Sequence, residues 1–364
     1  MSVSGSHTRV EAAIKAFAKG EIVVVVDDDD RENEGDLCIA ASLCTPEKMA
    51  FIIRHTSGIV CATLGADQAR KLHLDPMVAV NDAPLGTAFT VTVDVKHGLT
   101  TGISAEERTN TVRALANHNS GASDFVRPGH VFPLVAREGG VLMRSGHTEA
   151  CTDLARLAGL PAVGVLSELM NEDGTVMRGA QVAGFASTHK LAYVSIAELI
   201  AYRQSRDKLV ERVGEFTLAS DIGTLKGYAY VTPFDAVNHM AFVYGDVGNG
   251  KEMPARLHRA DVIGDVFGGG KSIHAALARF KKEGRGVIVY LRDGSAGVPV
   301  SGIPNEGTDA EAARSRQWRE VGLGAQILRD LGISSIRLLA STKRTYVGLA
   351  GFGIEIAATE PLDN

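Results

Sequence analysis

One stretch decides the fold of this chain: Ile22-Val23-Val24-Val25-Val26-Asp27-Asp28-Asp29-Asp30-Arg31-Glu32-Asn33-Glu34-Gly35-Asp36. Its first five residues are β-branched and apolar, a composition typical of a buried strand. Residues 27–36 then contain seven acidic side chains and one arginine. Acidic groups at this density repel one another, so the segment needs a counter-charge. The candidates are a divalent cation, Arg31 and a basic segment from elsewhere in the chain.

The acidic segment is held at both ends. It follows the apolar strand without a linker, and apolar sequence resumes at residues 37–41, Leu-Cys-Ile-Ala-Ala. Gly35 provides a position where another group can approach the backbone closely. A solvated loop is the common interpretation of an acidic run, but these features favour a loop at the rim of a pocket.

Length and composition limit the kind of protein. The chain has 364 residues, which predicts two domains, and its 45% hydrophobic content provides a core for each. The net charge of −5 and the lack of a basic stripe argue against nucleic-acid binding. No apolar run is long enough for a membrane span, and the start of the chain lacks a signal-peptide pattern.

The cysteines indicate the compartment. There are four, and none forms a CxxC pair; they are Cys38, Cys44, Cys61 and Cys151. This pattern is typical of reduced core thiols, so we expect a cytoplasmic protein.

Helix and strand signals alternate through the first half of the chain. Helices are predicted from a capping box at Thr8–Glu11 to Gly20, after Pro46, after a capping box at Ser104–Glu107, and from after Thr148 to Gly159. Further strands are predicted from apolar runs or alternation at residues 58–64, 89–93, 141–143 and 162–166. Residues 129–134 are predicted to form a turn that leads into a short apolar piece.

Three of the predicted core strands end in polar residues. The acidic segment follows the first, Arg144–Glu149 follows residues 141–143, and Glu168 follows residues 162–166. In α/β sheets, functional sites collect beyond the carboxyl ends of strands. The sequence therefore predicts a site at this edge of the sheet.

The second half of the chain is predicted to form a separate domain. Residues 200–214 are charged and weakly periodic, and strands are predicted beyond them at residues 240–244, 286–291 and 336–339, with helices at 272–283 and 319–331. The predicted fold class is α/β (α+β), with two domains, 1–205 and 206–364. Each is expected to be a mixed β-sheet layered with helices.

The polar residues of the first half are suited to a hard metal ion. The candidates are Glu32, His130, His147 and Glu168, with Arg31, Asp36, Arg144 and Thr148 around them. Carboxylates with an imidazole suit Mg²⁺ or Mn²⁺ better than zinc. The segment is not an EF-hand, because arginine stands at its third ligand position and Glu32 where glycine is required.

The same residues can also bind an anion and move protons. Arg144 and the helix start after Thr148 would form a phosphate seat of guanidinium and amide donors. A carboxylate or an imidazole at a strand end can transfer a proton. Each residue also has a structural interpretation: His147 and His130 as core or capping histidines, Glu168 as a turn cap, Arg144 as a surface charge.

Several motifs together resemble the 3,4-dihydroxy-2-butanone 4-phosphate synthase family over residues 8–203. They are the acidic segment, Thr100-Thr101-Gly102-Ile103-Ser104, Gly129-His130-Val131-Phe132-Pro133-Leu134 and Arg144-Ser145-Gly146-His147-Thr148-Glu149-Ala150. The resemblance implies conversion of ribulose 5-phosphate to 3,4-dihydroxy-2-butanone 4-phosphate and formate, an early step of riboflavin synthesis. It also implies a homodimer.

The resemblance implies a role for each motif residue. Glu32 and His147 would hold Mg²⁺ or Mn²⁺, two ions per site. Arg31 and Asp36 would bind the sugar, and His130 and Glu168 would transfer protons. The phosphate end would lie against Arg144, Ser145, Gly146 and Thr148, while Cys61 and Thr101 would line the pocket.

Residues 207–364 resemble GTP cyclohydrolase II, but the catalytic positions differ. The three zinc cysteines of that family fall on Asp261, Ser272 and His274, and no cysteine occurs after Cys151. A serine hydroxyl is a poor substitute for a thiolate, so no zinc is expected here. The purine-binding stretch falls on Asp293–Gly297 and the catalytic acid on Gln317, while Arg319 keeps the arginine. We therefore expect an inactive second domain.

Two alternatives stay open from the sequence. The chain could be a bifunctional enzyme that also hydrolyses GTP. It could also be a non-enzymatic cation-binding or nucleotide-sensing module, in which Glu32→Gln would weaken metal binding without abolishing any turnover.

Overall fold

A computed structural model describes residues 3–27, 32–83, 86–233, 235–292, 322–340 and 354–362. The chain forms two compact units, Met1–Tyr202 and Arg203–Asn364. Each contains one seven-stranded sheet with both parallel and antiparallel neighbours. The predicted fold class, two mixed sheets layered with helices, is confirmed.

The first unit is built on a sheet with the strand order β4-β5-β3-β6-β2-β1-β7. Its strands are β1 Val23–Val26, β2 Gly35–Ala40, β3 Cys61–Gly65, β4 Val93–Val95, β5 Phe125–Ala136, β6 Gly164–Glu168 and β7 Ala192–Ser195. Its helices are α1 Val3–Ala18, α2 Pro46–His55, α3 Ala66–Lys71, α4 Ala105–Ala116, α5 His147–Leu157, α6 Ala180–Thr188 and α7 Ile196–Arg206, which crosses the unit boundary. Short 3-10 turns occupy Ala41–Leu43, Ala122–Asp124 and Gly140–Leu142.

The second unit has the strand order β14-β13-β11-β12-β10-β9-β8. Its strands are β8 Glu211–Ser220, β9 Gly223–Thr232, β10 Asp235–Tyr244, β11 Met253–Arg259, β12 Gly286–Leu291, β13 Ser335–Ala340 and β14 Glu355–Pro361. Its helices are α8 Lys271–Glu283 and α9, residues 322–330, with a π-helical turn at Ile263–Phe267. The predicted helix at residues 319–331 is seen from residue 322, because its first residues lie outside the described part.

Register across the first sheet places the polar strand ends together. Asp36 of β2 is the direct cross-strand partner of Glu168 of β6, and also of Val25 in β1. Cys61 of β3 pairs with Leu166 and with Phe132, and Glu168 and His130 each lie two residues beyond those partners. Because side chains alternate along a strand, Asp36, Glu168, Cys61 and His130 point from one face of the sheet.

The opposite face of the first sheet supplies much of the core. Buried side chains of β1, β2 and β3, such as Val24, Ile39 and Leu64, belong to one cluster with Met49 of α2 and Leu115 of α4. The two helices begin at predicted signals: Thr45 caps α2 ahead of Pro46, and Ser104 and Glu107 form a complete capping box on α4.

Three element predictions are wrong, and the first two concern helix α1 and residues 129–134. Helix α1 begins at Val3 rather than at the predicted capping box, and Thr8 lies inside it. Contacts with α7 stabilise the added turns, because the His7 ring packs on Tyr202 and Arg9 forms an ion pair with Glu198. Residues 129–134 lie inside the 12-residue strand β5 rather than in a turn.

The strand predicted at residues 141–143 is a 3-10 turn instead. Gly139 and Gly140 have φ angles of 88° and 62°, which a strand cannot accommodate. The Val141 N–H donates to the Asp153 carboxylate at 2.9 Å rather than to a neighbouring strand. Arg144–Glu149 therefore follow a turn, not a strand end.

Two other strands are shorter or shifted. The strand predicted at residues 58–64 covers Cys61–Gly65. Residues 89–93 contribute isolated bridges from Phe89 and Thr90, and the regular strand β4 is Val93–Val95.

Candidate active site

Asp27 organises the described part of the acidic segment. It follows β1, is buried, and accepts hydrogen bonds from the N–H groups of Glu32 at 2.9 Å and Glu34 at 2.8 Å. Between these two amides, Asn33 adopts a left-handed φ of 54°. Residues 28–31, including the predicted sugar-binding Arg31, lie outside the described residues.

The segment lies at a pocket rim, as predicted. Asp27, Asn33 and Glu34 line a pocket of about 270 Å³ with Gly179, at the start of α6. Glu34 forms an ion pair with Arg178 at 2.8 Å, which gives the segment one of its counter-charges.

Three side chains form a candidate metal site. Asp27, Glu32 and His147 each offer a ligand atom, and these atoms lie within 4.8 Å of one another. Glu32 Oε2 is 3.7 Å from His147 Nδ1. It is the one group of three such ligands in the described residues of the whole chain. The structure thus brings Glu32 and His147 together as predicted and adds Asp27, which the sequence analysis did not single out.

Asp36 lies beside this cluster, in surroundings that make ionisation of its carboxyl group unfavourable. It is 2% exposed, and its Oδ1 has no hydrogen-bond partner among the described residues. Burial raises the pKa of Asp36 to about 7; His147 opposes the shift, and the carboxylates of Glu168, Glu32 and Asp27 add to it. A buried carboxylate with an unpaired oxygen next to carboxylates and an imidazole is suited to binding a cation.

Glu168 is exposed at the end of β6. Its Oε2 accepts a hydrogen bond from Ser57 Oγ at 3.0 Å, and its carbonyl oxygen accepts from the Ser57 N–H at 2.9 Å. Cys61 lies buried on the same face. Burial raises the pKa of the Cys61 thiol, and the carboxylates of Glu168 and Asp36 raise it further, so the thiol stays protonated.

The start of α5 gathers the predicted phosphate-binding residues. Gly146 is the N-cap and His147 and Thr148 are the first two helical residues, so their N–H groups have no partner within the helix. A side chain at Gly146 would collide with the Arg144 guanidinium, since a Cβ there would lie 2.4 Å from Nη1. Ser145 lies between them and is half-buried.

Glu149 holds Arg144 in place. Its buried carboxylate accepts from Arg144 Nη1 at 2.8 Å and from the Arg137 N–H at 2.9 Å. Burial raises the pKa of Glu149, while the Arg144 charge and these hydrogen bonds oppose the shift. Sequence reasoning missed this residue, although it stands five positions after the arginine.

His130 lies on β5 and is not in contact with Glu168. Strand β3 lies between β5 and β6 in the sheet. No hydrogen bond or ion pair joins the two side chains in the described structure. The roles of His130 and Glu168 in proton transfer stay a prediction. Thr101 is exposed and precedes Gly102, which packs against the His130 ring.

In the second unit, one of the positions that correspond to zinc ligands, Asp261, binds a backbone amide instead. Asp261 Oδ1 accepts the Gly264 N–H at 3.1 Å, and Asp265 accepts from Tyr290 and lies 2.8 Å from His258. Ser272 and His274 lie near the start of α8, within the described residues. Asp293–Gly297, Gln317 and Arg319 lie outside those residues. Across all described helices of the chain, none has the length and apolar character of a membrane span.

Family models match both halves of the chain. The model for 3,4-dihydroxy-2-butanone 4-phosphate synthase matches residues 11–202, and the model for GTP cyclohydrolase II matches residues 211–361. In Arabidopsis thaliana, the bifunctional riboflavin biosynthesis protein RIBA 1 and the monofunctional RIBA 2 are each 44% identical to this chain. The matches cover 97% of this chain, 68% of RIBA 1 and 76% of RIBA 2.

Two solved structures are similar. RibBX, a two-domain 3,4-dihydroxy-2-butanone 4-phosphate synthase from A. baumannii, has a TM-score of 0.80 and 37% identity, over 95% of this chain and 98% of that one. A 3,4-dihydroxy-2-butanone 4-phosphate synthase in complex with two magnesium ions has a TM-score of 0.53 and 44% identity, over 54% of this chain and 97% of its own. These matches show that the chain belongs to the 3,4-dihydroxy-2-butanone 4-phosphate synthase family, with a second half of the GTP cyclohydrolase II type.

Proposed function

We propose that the first unit converts ribulose 5-phosphate to 3,4-dihydroxy-2-butanone 4-phosphate and formate, as a lyase of riboflavin biosynthesis, at the site described above. Family membership supports the activity. The observation that carries the location is the cluster of Asp27, Glu32 and His147 beside Asp36 and the start of α5.

The residues present fit a divalent cation. Two carboxylates and an imidazole converge, and the neighbouring Asp36 has a buried oxygen without a partner in the described structure. We assign Mg²⁺ or Mn²⁺, two ions per site, held by Glu32 and His147; the two magnesium ions of the related synthase support this count. When bound, the metal stabilises negative charge that develops on the sugar oxygens.

The chain's own residues bind and orient the substrate. Arg144, with Ser145, Gly146 and Thr148, seats the phosphate, because a guanidinium next to the N-terminus of a helix provides donors for an anion. Glu149 fixes the guanidinium from behind. Arg31 and Asp36 bind the sugar hydroxyls, and Cys61 and Thr101 line the pocket.

Glu168 and His130 move the protons that enolisation, dehydration and formate release require. Glu168 is exposed, and its Oε2 accepts a hydrogen bond from Ser57 Oγ. His130 forms no hydrogen bond or ion pair with Glu168 of the same chain in the described structure. We propose a homodimer in which two copies complete each site. We also propose a cytoplasmic location.

Formate release from ribulose 5-phosphate tests this function. We expect Glu32→Gln, His147→Ala and Glu168→Gln to lose it by about 100-fold or more, while the exposed Glu172→Gln keeps it, because only the former remove metal or proton-transfer groups. Circular dichroism checks that each variant is folded. Full activity in a folded variant would remove that residue from its assigned role.

We also propose that the second unit does not open GTP. Asp261, Ser272 and His274 do not fit a zinc ion, since serine replaces a thiolate and Asp261 already binds a backbone amide. The monofunctional name of the RIBA 2 relative is consistent with this proposal, and the bifunctional RIBA 1 represents the alternative. We propose residues 1–205 as the synthase domain and 206–364 as a scaffolding, dimer-stabilising or regulatory domain.

Incubation with GTP separates the two possibilities. We expect the full-length protein to release no formate from GTP and to contain no zinc after purification in zinc-supplemented medium. Formate release from GTP that needs zinc would establish the bifunctional alternative.

A further inference from the structure

A buried carboxylate lies directly behind His130. Asp94 of β4 is 3% exposed and its Oδ2 lies 2.7 Å from His130 Nδ1, while its Oδ1 accepts the backbone N–H of His130 at 2.9 Å. The His130 side chain is 43% exposed, so the edge of the ring away from Asp94 faces solvent. The histidine is therefore gripped on one side and open on the other.

The backbone packs closely against the Asp94–His130 pair. A Cβ at Gly102 would lie 2.1 Å from Asp94 Oδ2 and 2.6 Å from His130 Nδ1, and one at Gly129 would lie 2.0 Å from the Val93 carbonyl carbon. Both positions require glycine because the β4–β5 pair and the loop at Gly102 press against the dyad.

Asp94 accepts a backbone hydrogen bond and lies near a positive charge. It accepts an N–H hydrogen bond, and Arg108 is nearby: burial lowers the pKa of Arg108, and the Asp94 carboxylate opposes that shift. The Arg108 guanidinium is held by the carbonyl oxygen of Gly58 at 3.0 Å, so this positive charge stays close. An ionised carboxylate can only accept, so the ring nitrogen that faces it must carry the proton.

We infer that Asp94 is a positioning residue that holds neutral His130 in the Nδ1–H tautomer and so keeps Nε2 unprotonated and exposed as the proton acceptor. The inference deepens the proposed function, because it rests on His130 as a proton-transfer group. Asp94 touches no substrate; it acts through the imidazole by fixing both its rotation and its tautomer.

Asp94→Asn tests the tautomer directly. The backbone N–H of His130 needs an acceptor, so the asparagine side-chain oxygen continues to accept from it. The asparagine NH₂ group then faces the ring nitrogen Nδ1. The ring nitrogen must then accept, which transfers the proton to Nε2 and blocks the base. We expect kcat to fall about 100-fold or more while KM stays within about threefold. Thr111→Val is the control, because it removes the hydroxyl that binds the Val95 N–H of the same strand without touching Asp94.

Long-range ¹H–¹⁵N spectra of histidine-labelled full-length protein at pH 8.5 report the tautomer, with the His130 signals assigned by loss in His130→Gln. We expect Nδ1–H in the wild type and in Thr111→Val, and Nε2–H in Asp94→Asn. A wild type with Nε2–H would overturn the inference whatever its activity, and it decides the matter even if Asp94→Asn does not fold. Wild-type kcat in folded Asp94→Asn would also overturn it. Full activity of His130→Gln would instead remove the proton-transfer role of His130 and leave the tautomer result standing.

Discussion

At the scale of the residue, Asp36 combines burial with a raised pKa at the candidate site. A carboxylate that is buried next to three other acidic groups resists ionisation, and its raised pKa of about 7 reflects that cost. The fold keeps this residue because the cross-strand pairing with Glu168 fixes it at the site. The ionised Asp36 carboxylate lowers the free energy of unfolding, and a bound cation or substrate would pair with it.

Asp36→Asn should therefore stabilise the metal-free protein at high pH. The folded-state pKa of about 7 exceeds the ordinary value of 3.8, so the folded state binds more protons between these values and the wild-type free energy of unfolding falls as pH rises from about 4 to 7. Asparagine has no such penalty, so its advantage should be near zero at pH 4 and reach up to about 4 kcal/mol at pH 8. Urea unfolding in EDTA measures it.

The exposed Asp82→Asn is the control and should show no pH-dependent gain. An Asp36→Asn variant that is no more stable than wild type at pH 8 would show that Asp36 is not a source of strain.

Sequence reasoning found some of these residues and missed others for a physical reason. Glu32 and His147 stand out because a dense acidic run and a helix start are local patterns. Asp27, Asp94 and Glu149 act by binding backbone amides or by holding another side chain, and Asp94 meets His130 across 36 positions of sequence. Such roles exist only after the strands have paired, so no local pattern announces them.

At the scale of the element, the capping box of α4 supports the loop beside His130. The Ser104 side chain accepts the Glu107 N–H, and the Glu107 carboxylate accepts from the N–H and hydroxyl of Thr100. These hydrogen bonds lower the pKa of Glu107. One short motif thus starts a helix and ties down the residue that precedes Thr101.

Ser104→Ala should cost about 1 kcal/mol of the free energy of unfolding, because the first turn of α4 loses its cap. Ser104→Thr keeps the hydroxyl and should recover most of it. Chemical unfolding of the two variants beside wild type measures the difference; equal stability of alanine and threonine at this position would contradict the cap.

The turn before Arg144 offers a matched pair of glycines. Gly140 and Gly159 both have positive φ angles, 62° and 73°, but a Cβ at Gly140 would lie 2.2 Å from the Asp153 carboxylate, whereas one at Gly159 meets nothing within 4 Å. We expect Gly159→Ala to cost about 1 kcal/mol from backbone strain alone. Gly140→Ala should cost about 3 kcal/mol or more, and it should also raise the KM for ribulose 5-phosphate.

Thermal unfolding and steady-state kinetics compare the two variants. If both lose the same stability, the contact with Asp153 does not constrain the turn that leads to Arg144.

Element prediction succeeded where the local signal was complete. Thr45-Pro46, the Ser104 capping box and the β-branched run before Asp27 each gave the observed element. It failed at residues 129–134, where Gly129 is required by contact with β4 rather than by a turn, and at residues 141–143, where Asp153 captures a strand-like amide. In both cases a distant contact overrides the local pattern.

At the scale of the whole molecule, each unit has its own sheet and its own core. In the first, the strands pack on α2 and α4; in the second, Phe280 and Ala276 of α8 pack on Ile288 and Leu339. Arg212 adds a polar network to the second by binding Asp330, which also accepts from Tyr230. We therefore expect two unfolding transitions.

Magnesium should raise the temperature of one transition only, because the metal cluster belongs to the first unit. At 100 times the dissociation constant the gain is about 2.7 kcal/mol. Calorimetry of the full-length protein with and without Mg²⁺ measures it. Glu32→Gln should remove the shift, whereas Arg212→Ala should lower the other transition and leave the magnesium shift intact.

A shift of both transitions, or one that survives Glu32→Gln, would place the metal elsewhere. The division into two units was foreseeable from length and from the change of pattern near residue 200. The acidic segment was the feature of the sequence that predicted which unit responds to the metal.

The two amides held by Asp27 also bear on which ion the protein prefers. Because that carboxylate binds the backbone amides of Glu32 and Glu34, we expect the polypeptide, rather than the bound ion, to set the opening between Glu32 and His147. A preformed opening favours a small ion with short bonds and penalises calcium, which needs longer bonds and more oxygen donors. Discrimination between magnesium and calcium would then come from the stiffness of the backbone more than from the donor atoms themselves.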